Sequence, residues 1–209
     1  MIRLGICNEL FEGWDFGRTC RTVKAIGYDG VELAPFTLAP RITDLSGDDR
    51  KRLRGIMDEA GLACIGLHWL LAKTEGFYLT SPDLTTRMKT ATYLIELARA
   101  TRDLGGTVMV FGSPLQRNLR PGVTFHQAMD YAREVFATIM PEIGALDVDL
   151  CLEPLAASET DFLTSIPQAL DLIRQVDHPH FKLHLDVKAQ SADPTGSVTE
   201  LISRHGADG

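Results

Sequence analysis

Nowhere in the 209 residues is there a run approaching the roughly 18–20 apolar side chains that a membrane span requires. The opening segment, MIRLGICNELFEG, also lacks the basic start, apolar stretch and small-residue cleavage site of a secretory signal. A cytoplasmic protein with no membrane partner is therefore the expectation. Positive charge is short as well: 21 Lys and Arg stand against 28 Asp and Glu, a formal net charge of −7. Because polyanions are held mainly by Lys and Arg, no nucleic-acid partner is expected. Cysteine is sparse and unpaired in pattern. Cys7, Cys20, Cys64 and Cys151 are widely separated, and none belongs to a CxxC. Three of them lie in apolar, strand-like runs, where Cys behaves as a small hydrophobe, so reduced and buried thiols are expected.

What the chain does contain is one unit, repeated. Short β-branched or apolar runs occur at Arg3–Cys7, Gly30–Leu33, Ala63–His68, Thr107–Phe111, Asp149–Glu153 and Lys182–Asp186. Runs such as TVMVF and DLCLE are too short for independent helices and read as strands buried on both faces. Helical patterns fill the intervals. Ser46 and Asp49 open one, with Leu53, Ile56, Met57 and Ala60 as its apolar stripe and Gly61 at its end. Thr124 with Gln127, and Ser165 with Gln168, have the spacing of capping boxes. A long helix is predicted from Asp83 to about Leu104, closed by Gly105-Gly106, and a sixth from about Ser197 to His205.

Strict alternation of strand and helix implies an α/β fold with a parallel sheet and helices outside it. An open doubly wound sheet and a closed barrel both accommodate that order. The loop after the first strand, CNELFEGWDFG, has no Gly-rich phosphate turn, which argues against a dinucleotide fold. A (β/α)8 barrel takes about 250 residues and eight units, and six are legible here. No linker or low-complexity segment divides residues 1–209, so a single, incomplete barrel domain is expected. His205-Gly206-Ala207-Asp208-Gly209 reads as the turn into a seventh strand.

Chemistry in such folds gathers at the C-terminal ends of the strands. Those positions hold Asn8 and Glu9, Glu32, His68, Ser113, Glu153 and Asp186. Glu153 and Asp186 each end an apolar run, and a charge at such a rim is costly without a partner or a metal. Neighbouring strands are roughly 5 Å apart, so two such carboxylates could reach one cation. Helix capping or ion pairing accounts for these acids equally well. Glu32 lines a pocket or makes a supporting salt bridge. His68 reads more readily as a hydrogen-bonded wall residue than as a ligand. His184, sharing the face of Asp186, reads as a satisfied interior residue. His126, His178 and His180 read as surface groups. Lys188 either contacts an anionic substrate or is simply solvated.

GYDGVELAPFTL, GLHWLL, GGTVMVFGSP, LCLEPLAASET and KLHLDVKA, in this order, resemble the sugar phosphate isomerase/epimerase family of xylose isomerase-like TIM barrels. The resemblance implies one divalent metal, Mn²⁺, Mg²⁺ or Co²⁺ in preference to Zn²⁺, held by Glu, Asp, His and Glu on strands five to eight. Glu153 and Asp186 match the first two ligands. The other two would lie on strands seven and eight, so this chain alone is expected to have little activity. Glu159, six residues after Glu153, matches a substrate-binding glutamate, and His68, Glu32 and Lys188 are further candidates for substrate contact. The implied reaction is proton transfer through an enediolate, on a small sugar, sugar phosphate or polyol, with Glu153 as both ligand and acid/base group. Ala189 stands where many ketose epimerases have histidine, and Ala156-Ala157 where they have Asn-Arg, so the resemblance carries the metal pair and not the sugar's identity. Two rivals remain: a metal-dependent apurinic endonuclease of the same superfamily, and a non-catalytic truncated barrel. Homo-oligomerisation through the barrel helices is left open.

Overall fold

A computed structural model describes residues 2–193 and 195–206. Its strands are β1 (Gly5–Cys7), β2 (Gly30–Leu33), β3 (Ala63–Leu67), β4 (Val108–Phe111), β5 (Asp149–Leu152) and β6 (Phe181–Leu183). They form one parallel sheet in the order β1-β2-β3-β4-β5-β6. The connecting helices are α1 (Phe16–Ile26), α2 (Gly47–Glu59), α3 (Leu84–Asp103), α4 (Phe125–Ala145) and α5 (Ile166–Val176), followed by α6 (Val187–Gln190) and α7 (Val198–His205). The last three residues of the expected turn toward a seventh strand lie outside the described residues. No helix among the described residues is long and apolar enough to cross a membrane.

The helix signals act largely as read. Ser46 Oγ accepts from Asp49 N while the Asp49 carboxylate accepts from Ser46 N, and Thr124 and Gln127 close the same box on α4. Asp83 caps α3, and Gly105 follows that helix in the left-handed region at φ 91°. Ser165 departs from expectation. Its side chain caps nothing, and the Gln168 side chain instead accepts from Thr164 N at 2.8 Å.

Helix α4 shows what holds the sheet. Its Val135, Phe136, Ile139, Met140 and Ile143 are buried along one stripe. The Phe136 ring meets Phe111 of β4 edge-on at 5.4 Å and Phe181 of β6 at 4.8 Å. One aromatic side chain thus packs against strands on either side of β5. A fully buried Phe contributes about 1.5–3 kcal/mol through the area it removes from water. Along β5 the alternation separates two roles: Leu150 and Leu152 are fully buried, while Asp149, Cys151 and Glu153 share the other face.

Two local departures from ideal pairing set the site. Between β2 and β3 the register slips by one residue: Val31 pairs with Cys64 but Glu32 pairs with Gly66. The extra residue, Ile65, is a β-bulge, a device that re-aims neighbouring side chains. Gly66 has no room for a side chain, since a Cβ there would overlap the backbone of Val108 on β4. The second departure is at β6. The strand ends at Leu183 rather than continuing to Asp186, and Asp186 becomes the N-cap of the short α6. Its carboxylate can there accept two backbone N–H groups, which an extended strand would not offer it.

Burial raises the thiols of Cys7 and Cys64 to about 12, and those of Cys20 and Cys151 to about 11. All four are unpaired, Cys20 buried and the others half-buried. At pH 8, below all of these values, each stays a neutral thiol and a poor nucleophile. Ellman's reagent should therefore modify the folded protein far more slowly than the denatured chain, where all four should react; rapid labelling of the native protein would contradict the burial described. Gly66→Ala should lower the unfolding free energy by about 3 kcal/mol, the upper part of the range for overpacking, and an unchanged urea midpoint would count against the close β3–β4 approach.

Candidate active site

Glu153, the first residue beyond β5, is 4% exposed although it carries a carboxylate. Its backbone N–H donates to Phe111 O at 3.1 Å, which continues the sheet pairing and fixes the direction of the side chain. Space for that side chain comes from the neighbouring loop: a Cβ on Gly112 would collide with Glu153 Oε2. Among the described residues no hydrogen bond reaches the carboxylate. The ring nitrogens nearest to it are His68 Nε2, 3.6 Å from Oε2, and His184 Nε2, 3.8 Å from Oε1.

His68 follows β3 and joins two carboxylates. Its Nδ1 lies 3.0 Å from Glu32 Oε2, while Nε2 faces Glu153. Burial opposes charge on the ring, but the nearby Glu153 carboxylate and the hydrogen-bonded Glu32 carboxylate outweigh it and raise the pKa to about 10. Glu9, on the single 3-10 turn after β1, is drawn the other way. Burial raises its pKa, with the His68 charge opposing and the Glu32 charge adding to that rise.

The β5–α5 loop brings a second glutamate. Glu159 Oε1 accepts from Lys188 Nζ at 2.7 Å, whereas Oε2 is buried with no hydrogen-bond partner. That bond raises the pKa of Lys188. Asp186 accepts from Lys188 N at 2.9 Å and Ala189 N at 3.3 Å. A cavity of about 260 Å³ is lined by Glu153, Glu159, Asp186, Lys188, His68 and Glu9, together with residues of the β4 loop. Of the sequence candidates, these bring together Glu153, Asp186, Glu159, His68 and Lys188, with Glu32 behind His68. Lys188 pairs with Glu159 while its side chain stays 73% exposed to solvent. His184 proves to face Glu153 rather than being satisfied in the interior. His180 is no free surface group, since its Nδ1 lies 2.8 Å from Asp149 Oδ1 at the opposite end of β5.

One residue of the site carries no sequence signal. Arg117 is fully buried, and its guanidinium donates to the backbone oxygens of Glu153 at 2.7 Å and Leu163 at 3.3 Å. It pins both ends of the loop that holds Glu153 and Glu159. The adjoining residues complete the clamp: Asn118 Oδ1 accepts from Thr160 Oγ1, and Leu119 N donates to Asp161 Oδ1. Burial lowers the Arg117 pKa to about 10, while the charges of Glu153 and Glu159 counter that fall. The Arg in SPLQRN stands in no periodic pattern and no motif. Gly112, at the end of TVMVFG, was readable as a place of close approach.

Residues 20–207 match the family pattern described as a xylose isomerase-like TIM barrel. The chain belongs to that family. Similar solved structures of this xylose isomerase-like barrel include D-psicose 3-epimerase with D-tagatose from Clostridium cellulolyticum H10, at TM-score 0.84 and 19% identity over 99% of this chain and 71% of that one. Another is 3-keto-D-glucoside 4-epimerase from E. coli, at TM-score 0.82 and 14% identity over 100% of this chain and 76% of that one. An AP endonuclease, family 2, from Brucella melitensis matches at TM-score 0.75 and 17% identity over 100% of this chain and 77% of that one. At these identities the likeness establishes the fold. No curated protein matches the chain.

Arg117→Met should speed amide hydrogen exchange across residues 153–163 by at least about tenfold, each tenfold step corresponding to about 1.4 kcal/mol of lost local stability. Exchange in the middle of α3 should change much less; unchanged loop protection would remove Arg117 from this role.

Proposed function

We propose that the protein is a divalent-metal-dependent sugar or polyol isomerase or epimerase in which Glu153 moves the proton. The observation that carries this reading is a buried carboxylate, at the end of β5, that faces a cavity without a hydrogen bond of its own. The loss of hydration is costly for such a group, and the fold offers it a clamp at the backbone and imidazoles at a distance rather than a tight neutralising partner. An incompletely paired carboxylate is suited to accept a proton from carbon.

Each neighbour has a part in that chemistry. His68, charged between Glu32 and Glu153, sets a positive charge 3.6 Å from Glu153 Oε2. Glu159, fixed through Oε1 by Lys188, keeps Oε2 free to accept from a sugar hydroxyl. Asp186 stands across the cavity on the α6 cap. The donor set suits a hard cation: both Glu153 and Asp186 offer carboxylate oxygens, and those of Glu153 have no closer claim on them. Among the described residues no group of three or more His, Cys, Asp and Glu is arranged to hold a metal, so Glu153 and Asp186 would supply two ligands of a larger shell. Mn²⁺, Mg²⁺ or Co²⁺ bound there would polarise a carbonyl and the hydroxyl beside it, acidifying the C–H between. Glu153 would take that proton, leaving an enediolate, and return of a proton to the other face or the neighbouring carbon would separate epimerisation from isomerisation.

In the protein purified from its own cells and supplied with Mn²⁺, Glu153→Gln should reduce turnover of a ketohexose panel by at least about 10²-fold, the lower bound for losing an acid/base group. Its thermal unfolding should stay close to that of the parent. Undiminished turnover would remove Glu153 from the reaction, while retention on duplex DNA at moderate salt with no sugar turnover would favour the endonuclease alternative.

A further inference from the structure

A second cavity, of about 450 Å³, opens on the same rim beside the 260 Å³ one. The two share Glu9, Trp69, Ser113 and Pro114 as a common wall. The outer one differs in chemistry: beyond the shared wall it is faced by Leu10, Phe36, Ala72 and Leu115. Leu10 and Leu115 are each 70% exposed. Large apolar side chains held open to water beside a polar cavity mark a ligand groove more often than an idle surface.

The common wall is unusually constrained. Trp69 and Ser113 both hold left-handed backbone, at φ 56° and 42°, although neither is glycine. The two loops are tied together where Ser113 Oγ accepts from Leu71 N at 3.2 Å. Such conformations persist only where the surroundings enforce them, and they concentrate at ligand sites. Here they set the indole of Trp69 at the junction, its ring stacked beside that of His68 with centroids 5.8 Å apart.

Charge narrows the occupant. Lys73, the cation of the outer groove, is bound to Glu12 at 2.6 Å and lies 4.2 Å over the Phe36 ring. In the inner cavity Lys188 is taken by Glu159, and His68 lies between Glu32 and Glu153. Glu9 and Asp186 add negative charge to the walls. A phosphate group is held by Arg, Lys or a fan of free N–H donors, and none of these cations is left without an acidic partner.

We infer that the substrate is an unphosphorylated sugar carrying an apolar, ring-bearing substituent, with that substituent seated in the outer groove against Trp69, Phe36 and Leu115. This rests on the sugar reading of the inner cavity. It selects substituted sugars over the sugar phosphates that the family resemblance also admits.

The test is binding of three probes, phenyl β-D-glucoside, glucose and glucose 6-phosphate, followed by ligand-observed NMR on the intact protein. The phenyl glycoside should bind at least about tenfold tighter than glucose, a gain of about 1.4 kcal/mol, and glucose 6-phosphate should bind no tighter than glucose. Leu115→Asp, an exposed position outside the inner cavity, should abolish the phenyl preference while leaving glucose binding unchanged. Tightest binding by the phosphate, equal binding of glucoside and glucose, no binding of any probe, or a phenyl preference that survives Leu115→Asp would each overturn the inference. A preserved phenyl preference in a protein with no sugar turnover would sink the proposed reaction and leave the groove assignment standing.

Discussion

A carboxylate withdrawn from water at the end of β5 is the constraint to which the rest of the site answers. Glu153 could be neutralised cheaply by a close lysine or arginine, and the fold supplies neither at its oxygens. Arg117 comes near but donates to the backbone of Glu153 instead, so its charge acts across the peptide while its geometry fixes the loop. Gly112 yields the volume, and His68 contributes a distant positive charge that is itself divided with Glu32. Each of these choices leaves the carboxylate without a hydrogen bond of its own.

Seen from the sheet, the site is assembled from parts that have little in common locally. Glu32 comes from within β2, His68 from just past β3, Glu153 from just past β5, and Asp186 from the cap of α6. What relates them is parallel pairing, which aligns the strand ends on one rim, and the bulge at Ile65, which sets Glu32 opposite Gly66. Precision at such a rim depends on strands that cannot slide. The interdigitated Phe111, Phe136 and Phe181 supply that restraint beneath the β4, β5 and β6 ends.

Much of this was legible in the amino-acid order, and the exceptions have physical reasons. Strands and helices followed from apolar runs and caps because those signals are local: Ser46 with Asp49 and Thr124 with Gln127 each need only four residues to act. The same reasoning misjudged Ser165, where Thr164 competes for the Gln168 side chain, and extended β6 to Asp186, where a helical turn offered the carboxylate better partners. Strand-end position singled out Glu153, His68, Glu32 and Asp186 because alternation decides which residues face the rim. It could not disclose Arg117, whose role arises from backbone carbonyls 36 and 46 residues away in sequence. Nor could it disclose the divided allegiance of His68, which needs the relative placement of three strands.

Each strand here pairs only with its neighbours in sequence, and that order has a temporal meaning for a chain made from its N-terminus. The Glu32–His68 pair requires only β2 and β3, so it can be in place when fewer than half of the residues exist. Glu153 then arrives at a surface where an imidazole already stands, and Arg117, synthesised between the two, is ready to receive its carbonyl. Glu153 thus follows His68 and Arg117 in the chain and precedes Glu159, His184 and Asp186, which complete its surroundings.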